Sequence, residues 1–187
     1  MKKIILTCIF ITYLSSICNA QEKLDIDISK SSIKWIGEYI FSFSGHNGFI
    51  NFKKGHFIKT GDVITGGEFI IDMNSITNTD IKTKKANEGL VNHLKDPDFF
   101  DVKKHPSAKL TIFKVEYFDN NQVRINAKLT IKGITNPIKF NANLDYAKKS
   151  LKTKFKINRK KWNVNYQSKM KDSPISDAIG FEVTLNL

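Results

Sequence analysis

Hydrophobic and polar residues alternate along most of the chain from residue 33 onward, a pattern typical of β-strands with one buried face. It is most regular near the C-terminus, where every second residue from Ile179 to Leu187 is apolar. The pattern predicts eight strands, at 33–40, 48–58, 63–73, 107–118, 123–131, 138–146, 151–157 and 179–187. Turn residues at 59–62, 119–121 and 133–137 join neighbouring strands, so we expect those neighbours to pair antiparallel.

Eight antiparallel strands that each have one apolar face can be arranged in two ways. A closed barrel removes the exposed strand edges. A two-sheet sandwich instead packs two apolar faces against each other. The pattern favours an all-β fold with an eight-stranded antiparallel barrel, and the sandwich remains the competing arrangement.

The alternation stops between the third and fourth predicted strands, at residues 74–106. Lys84 to Lys95 has the spacing of a short amphipathic helix, with Leu90, Val91 and Leu94 on one side. Pro97 disfavours helical geometry at the residue before it and should end the helix there. We therefore predict one short helix in a long insertion between strands 3 and 4.

The first 20 residues have the pattern of a cleaved secretory signal peptide. A positive start at Lys2 and Lys3 precedes a mostly apolar stretch, and small residues lead up to Ala20. An uncleaved anchor helix and a lipid-anchored start at Cys18 are the alternatives. We predict cleavage after Ala20, a functional domain at 21–187, and export to the periplasm or secretion.

Both cysteines, Cys8 and Cys18, lie in this N-terminal segment. Cleavage after Ala20 would therefore leave a chain without cysteine. Disulfides, thiol catalysis and thiolate metal sites are excluded for that chain.

Positive charge is concentrated in the C-terminal half. The whole chain carries a formal charge of +12, but residues 21–100 sum to −1 and residues 101–187 to +11. Lys152, Lys154 and Lys156 alternate with apolar or inward-facing positions and should point outward. They predict a peripheral contact with an anionic membrane surface, with a merely solvated face as the alternative. Nucleic-acid binding is not expected, because no binding motif accompanies the charge.

The residue types that carry catalysis or bind metals do not form a recognisable motif. The four histidines lack the spacings of metal-ligand motifs. Ser42 and Ser44 lie close to His46, but no nucleophile elbow accompanies them. We expect no metal site, no catalytic residues and no enzymatic activity.

Several segments, in order along residues 29–187, resemble the YceI family of exported lipid-binding barrel proteins. The segments are Ser32–Trp35, Gly45–Gly48, Gly66–Ile76, His93–Val102, His105–Ala108, Leu129–Ile138, Asn158–Arg159 and Trp162–Tyr166. The resemblance implies an extended lipocalin-like barrel that holds a long apolar lipid, such as a polyisoprenoid, an isoprenoid quinone or a fatty amide. It implies no catalysis and no cofactor other than the bound lipid.

The inward residues of the first strands and the apolar residues of the insertion are the predicted ligand contacts. They are Trp35, His46, Ile50, Phe52, Phe69, Ile71, Met73, Leu90, His93, Leu94, Phe99 and Phe100. The insertion should close one end of the tube, and His46 and His93 are candidates to meet a polar headgroup. Phe99 and Phe100 are adjacent, so in an extended segment one would anchor the insertion and the other would touch the ligand.

The predicted function is to hold this lipid for transport, storage or sequestration. Two other functions fit the same residues. The first is a lipid-modifying enzyme on the same barrel, with His46 or His93 as its acid or base. The second is a basic surface-interaction module whose barrel interior is filled by its own side chains. A homodimer is compatible with each of these functions.

Overall fold

The computed structural model describes residues 20–40, 44–167 and 174–187. These residues form nine strands: β1 (Gln21–Asp25), β2 (Ser32–Tyr39), β3 (Gly45–Thr60), β4 (Val63–Asp72), β5 (Ser107–Tyr117), β6 (Gln122–Ile131), β7 (Ile134–Asp145), β8 (Ser150–Asn158) and β9 (Ile175–Asn186). Helix α1 (Lys84–Lys95) and two 3₁₀ turns, Met73–Ser75 and Arg159–Trp162, complete the elements of these ranges. The predicted export signal at 1–20 lies outside the described residues, apart from Ala20.

Strands β2 to β9 form a closed barrel of eight strands. The sheet order is β3-β2-β9-β8-β7-β6-β5-β4, and β4 pairs again with β3. Every pair of neighbours is antiparallel. The predicted eight-stranded antiparallel barrel is confirmed. The two-sheet sandwich is excluded, because one continuous sheet closes on itself.

The connections alternate between the two ends of the barrel, because the strands run up and down. One end carries α1 and the rest of residues 73–106, together with the turn at 132–133. We call it the helix end. The opposite end carries the turns at 61–62, 118–121 and 146–149, and we call it the turn end.

A ninth strand, β1, lies beside the barrel and was not predicted. It pairs with the last five residues of β3, whereas β2 pairs with the first half of β3. The two strands therefore follow one another along the same side of β3. Alternation could not reveal β1, because Leu24 is its only apolar residue.

Three strands begin three or four residues earlier than predicted, at Gly45, Ile134 and Ile175. The largest misreading concerns Pro137, which suggested a turn but lies within β7. The turn consists of Lys132 and Gly133, whose φ angles are 50° and 73°, and Ile131 pairs directly with Ile134. Strand β7 pairs with β8 only over residues 142–145. Pro137 therefore has no partner on the β8 side that would need its missing N–H.

Helix α1 has the predicted bounds, and the segment before it is attached to the barrel wall. The backbone N–H groups of Thr77 and Thr79 donate to the carbonyls of Phe49 and Asn47, each at 2.9 Å. The segment crosses β3 at Gly48, where an added Cβ would lie 1.8 Å from the Thr77 carbonyl oxygen. Only a residue without a side chain fits this crossing.

Gly48→Ala should destabilise the fold, because the methyl group would push the 77–79 segment off β3. We expect a loss of about 1–3 kcal/mol in the free energy of unfolding, measured by denaturant titration. Gly89→Ala is the matched control. Gly89 is exposed in α1 and has open space around its Cα, so alanine there should stabilise by up to about 1 kcal/mol. Equal effects at the two positions would contradict the packing described for Gly48.

The barrel interior is filled on one side and partly open on the other. On the β3–β6 side, Phe57 and Phe69 are only 2% and 1% exposed, and their ring centroids lie 5.1 Å apart. On the β8–β9 side, the inward side chains of Phe155, Phe181 and Val183 are only half-buried. The interior therefore contains space against β8 and β9.

Candidate functional site

An internal cavity of about 210 Å³ occupies this open part of the barrel. Side chains from all eight barrel strands line it, together with side chains from the insertion. Nearly all of them are aliphatic or aromatic. The polar side chains that the structure places in the wall are Glu38, Tyr39, His46, Thr153, Arg159 and Ser176. Such a cavity suits an apolar molecule with few polar groups.

Eleven of the twelve predicted ligand contacts lie in the cavity wall. They are Trp35, His46, Ile50, Phe52, Phe69, Ile71, Met73, Leu90, Leu94, Phe99 and Phe100. The strand residues reach the wall because each occupies an inward position of the alternating pattern. Leu90 and Leu94 reach it because they are one turn apart on the same face of α1. Their contact with a ligand remains a prediction.

His93 lies next to the cavity wall and is not among its lining residues. Its Nε2 is 3.0 Å from a carboxylate oxygen of Asp98. Its ring meets the rings of Phe99 and Tyr166 edge-on, with centroids 5.2 and 4.4 Å away. The His93 ring therefore packs against the Phe99 ring, a contact that the sequence did not indicate.

The expectation that Phe99 and Phe100 face opposite ways is wrong. Residues 96–101 form a turn, in which the N–H groups of Phe99 and Asp101 both donate to the Asp96 carbonyl, at 3.0 and 2.9 Å. The extended geometry that would separate the two rings is therefore absent from this turn. Both rings line the cavity at the helix end, and their centroids are 6.0 Å apart.

Sequence reasoning missed the half of the wall that β5 to β9 provide. The missed residues include Leu110, Ile112, Ile125, Leu129, Ile131, Phe140, Leu151, Phe155, Ile179, Phe181, Val183 and Leu185. The alternation that predicted these strands also identified their inward positions. It could not show that the space in front of them is open, because a packed barrel has the same pattern.

An aromatic row crosses the wall where β7 and β8 separate. Phe140 on β7 stacks on Phe155 of β8, with ring centroids 4.4 Å apart and planes within 13° of parallel. Phe155 in turn lies 5.5 Å from Phe181 of β9. No backbone ladder joins β7 and β8 at Phe140, because their pairing covers only 142–145 and 150–153. Side-chain stacking therefore joins the two strands there.

Tyr39, His46 and Asp80 form a hydrogen-bonded chain at the helix end. The Tyr39 hydroxyl is 3.1 Å from His46 Nε2, and His46 Nδ1 is 2.7 Å from an Asp80 oxygen. Burial acts to raise the pKa of Asp80. Hydrogen bonds from the Asn47 N–H, His46 and Asn78 outweigh it, so the pKa lies below its ordinary value. Asp80 is therefore a carboxylate at neutral pH and fixes the orientation of the His46 ring.

Arg159 is the most deeply buried charged residue of the wall. Its Nε donates to the Ser176 carbonyl at 3.0 Å, and one terminal nitrogen donates to the Val164 carbonyl at 2.7 Å. The other terminal nitrogen lies 3.5 Å from Asp177. Burial lowers the pKa of the guanidinium. Arg159 thus holds the segment after β8 against the start of β9, and this use of its nitrogens leaves it a structural role.

The family model described as "YceI-like domain" matches residues 24–187. The chain belongs to the YceI family. Members of this family are barrels that bind hydrophobic ligands, and the family is not a known enzyme family. No curated protein matches the sequence.

Solved structures with the YceI fold are similar to this chain at low sequence identity. The structure of Burkholderia cenocepacia BcnA is 19% identical, covers 86% of this chain and 98% of its own, and has a TM-score of 0.71. The Campylobacter jejuni YceI protein is 24% identical, with coverages of 74% and 84% and a TM-score of 0.51. At these identities the likeness shows the fold.

The basic side chains of β8 lie on the outer face of the YceI barrel, as predicted. Lys152, Lys154 and Lys156 are all exposed. Lys154 forms an ion pair with Glu182 at 2.8 Å, and Lys156 with Glu38 at 2.7 Å. These acidic partners partly neutralise the face. In the described ranges no helix is long and apolar enough to cross a membrane, and no three His, Cys, Asp or Glu residues are grouped to hold a metal ion.

Proposed function

We propose that this YceI-family protein binds one long apolar lipid of the isoprenoid or fatty-chain class in its cavity. The observation that carries the proposal is the wall itself, in which aliphatic and aromatic side chains from all eight strands face one internal space. A lipid chain in this space would be removed from water along its length. The protein would serve to transport, store or sequester the lipid after export.

Apolar burial alone gives such a complex enough affinity. Each methylene group removed from water is worth about 0.8 kcal/mol. The cost of association is on the order of 4–15 kcal/mol, so about 5 to 19 buried methylenes would offset it, and each further methylene would add to the affinity. The wall is already assembled by the barrel strands, so little further ordering is required.

Extraction of the purified protein tests the proposal. The protein would be expressed with its N-terminal segment, purified without detergent, extracted with organic solvent and analysed by mass spectrometry. We expect a long-chain lipid in the extract at a level that an unrelated barrel of similar size, purified in the same way, does not show. An extract without such a lipid, together with failure of the delipidated protein to take up added lipid, would overturn the proposal.

We further propose that the outer face of β8 brings the protein to anionic membranes, where such a lipid could be collected or delivered. Lys152, Lys154 and Lys156 would contribute at most about 1 kcal/mol each near the surface. Replacing all three with glutamine should weaken binding to anionic vesicles at low salt by about tenfold. The control replaces Lys53, Lys54 and Lys128, which are exposed on β3 and β6, and removes the same net charge. Equal losses in the two triple variants would show that only overall charge matters and would contradict a specific face.

A further inference from the structure

The hydrogen bonds that link Tyr39, His46 and Asp80 give the apolar cavity one polar contact with a defined hydrogen-bond direction. Tyr39 and His46 both line the cavity, on β2 and β3 at the helix end. Asp80 lies behind them, in the segment that crosses β3. The distances are 3.1 Å from the Tyr39 hydroxyl to His46 Nε2 and 2.7 Å from His46 Nδ1 to Asp80.

The carboxylate of Asp80 sets this direction because it can only accept hydrogen bonds. One oxygen accepts from the backbone N–H of Asn47 at 2.8 Å and from the Asn78 side chain at 2.6 Å. The other faces His46 Nδ1, which must therefore carry a proton. In a neutral imidazole the second nitrogen then has none. His46 Nε2 accordingly accepts, and the Tyr39 hydroxyl donates its only proton to it.

Tyr39 is left with an oxygen that can accept hydrogen bonds but has no proton to give. Other polar side chains of the wall already have partners. Thr153 donates to the Asn141 carbonyl at 2.6 Å, and Glu38 is paired with Lys156. The guanidinium nitrogens of Arg159 donate to the Ser176 and Val164 carbonyls and face the Asp177 carboxylate. A polar group at the tip of a bound lipid would therefore meet an acceptor at Tyr39.

We propose that the Tyr39 oxygen accepts a hydrogen bond from a terminal hydroxyl group, so that the protein prefers long-chain alcohols. The inference rests on the proposed lipid-binding function and specifies the tip of the ligand. A tip that can only accept, such as an ether or a carbonyl, would place acceptor against acceptor and lose this bond. An unpaired polar group in an apolar site disfavours binding.

Farnesol and farnesyl methyl ether test the proposal, because they share one chain and differ in the presence of the hydroxyl proton. Their dissociation constants would be measured on the delipidated protein at pH 8, by displacement of the apolar fluorophore N-phenyl-1-naphthylamine. The quantity of interest is the ratio of the ether constant to the alcohol constant. Comparing this ratio between variants cancels the different hydrophobicity of the two ligands.

Tyr39→Phe should lower the ratio about fivefold to tenfold relative to the wild type, because it removes one hydrogen bond. Asp80→Asn should lower it as well. The amide can donate to His46 Nδ1, which moves the ring proton to Nε2 and turns the Tyr39 hydroxyl towards donating into the cavity. Tyr146→Phe, which removes the hydroxyl of an exposed tyrosine outside the cavity wall, is the matched control and should keep the wild-type ratio.

The outcomes separate this inference from the proposed function. Binding of both ligands with a ratio that neither Tyr39→Phe nor Asp80→Asn changes would overturn the hydroxyl preference and leave lipid binding standing. A loss of preference in Tyr146→Phe alone would also overturn it. Failure of both ligands to bind the wild type would contradict the proposed function itself.

Discussion

Replacing Val183 with tryptophan should abolish most of the lipid binding while the barrel remains folded. Val183 faces the cavity from β9 and is half-buried, so an indole there would occupy space that a lipid chain needs. If the ring displaces about three methylene groups, the loss is about 2.4 kcal/mol, or roughly fiftyfold in affinity. Displacement of an apolar fluorophore by the lipid would measure this loss of affinity.

Thr184→Trp is the matched control for this substitution. Thr184 is the next residue of β9 and points to the outer face, so the same large side chain is added without entering the cavity. The control should bind lipid as the wild type does, and both variants should melt near the wild-type temperature. Undiminished binding by Val183→Trp would place the ligand elsewhere and favour a barrel filled by its own side chains.

The largest loss of stability is expected for Trp162→Ala. Trp162 is 1% exposed, and its indole N–H donates to the Leu129 carbonyl at 2.9 Å. Alanine would leave a hole beside β6 and remove the donor from that carbonyl. We expect a decrease of about 3–5 kcal/mol in the free energy of unfolding, measured by denaturant titration.

An exposed aromatic residue provides the comparison for Trp162. Tyr146 follows β7 and is 57% exposed, so Tyr146→Ala should change the free energy of unfolding by no more than about 0.5 kcal/mol. Trp162→Phe should fall between the two, because it keeps a ring and loses the N–H donor. A small effect of Trp162→Ala would show that the 3₁₀ turn at the end of β8 is not part of the folded core.

The barrel was predictable because its strands each bury one face, and burial of one face leaves a period of two in the sequence. Helix α1 was predictable for a similar reason, since Leu90 and Leu94 recur at helical spacing and Pro97 follows. Strand β1 left no such signal, because only Leu24 packs inward. Pro137 misled the prediction because proline is unfavourable in a strand only where a neighbouring strand needs its missing N–H. Whether such a neighbour is present is decided by the tertiary structure.

Many residues of the candidate site could be predicted from the sequence, but the contacts between their side chains could not. His46 was named as a polar contact, but its partner Asp80 lies 34 residues away and meets it only because the insertion folds back across Gly48. Tyr39 was counted only as a strand residue. For the same reason His93 could not be separated from the lining residues, since its contact with Asp98 depends on how the turn after α1 closes.

Quenching of Trp35 by a brominated lipid tests most directly that a lipid binds inside the barrel. Trp35 lies in the cavity wall, whereas Trp162, the second tryptophan of the chain, does not. A bromine-labelled fatty chain should quench the wild-type emission saturably, and the unlabelled chain should not. In Trp35→Phe, which leaves Trp162, most of that quenching should disappear. If the brominated lipid binds and the quenching is the same in Trp35→Phe as in the wild type, the lipid does not occupy the cavity and the account is wrong.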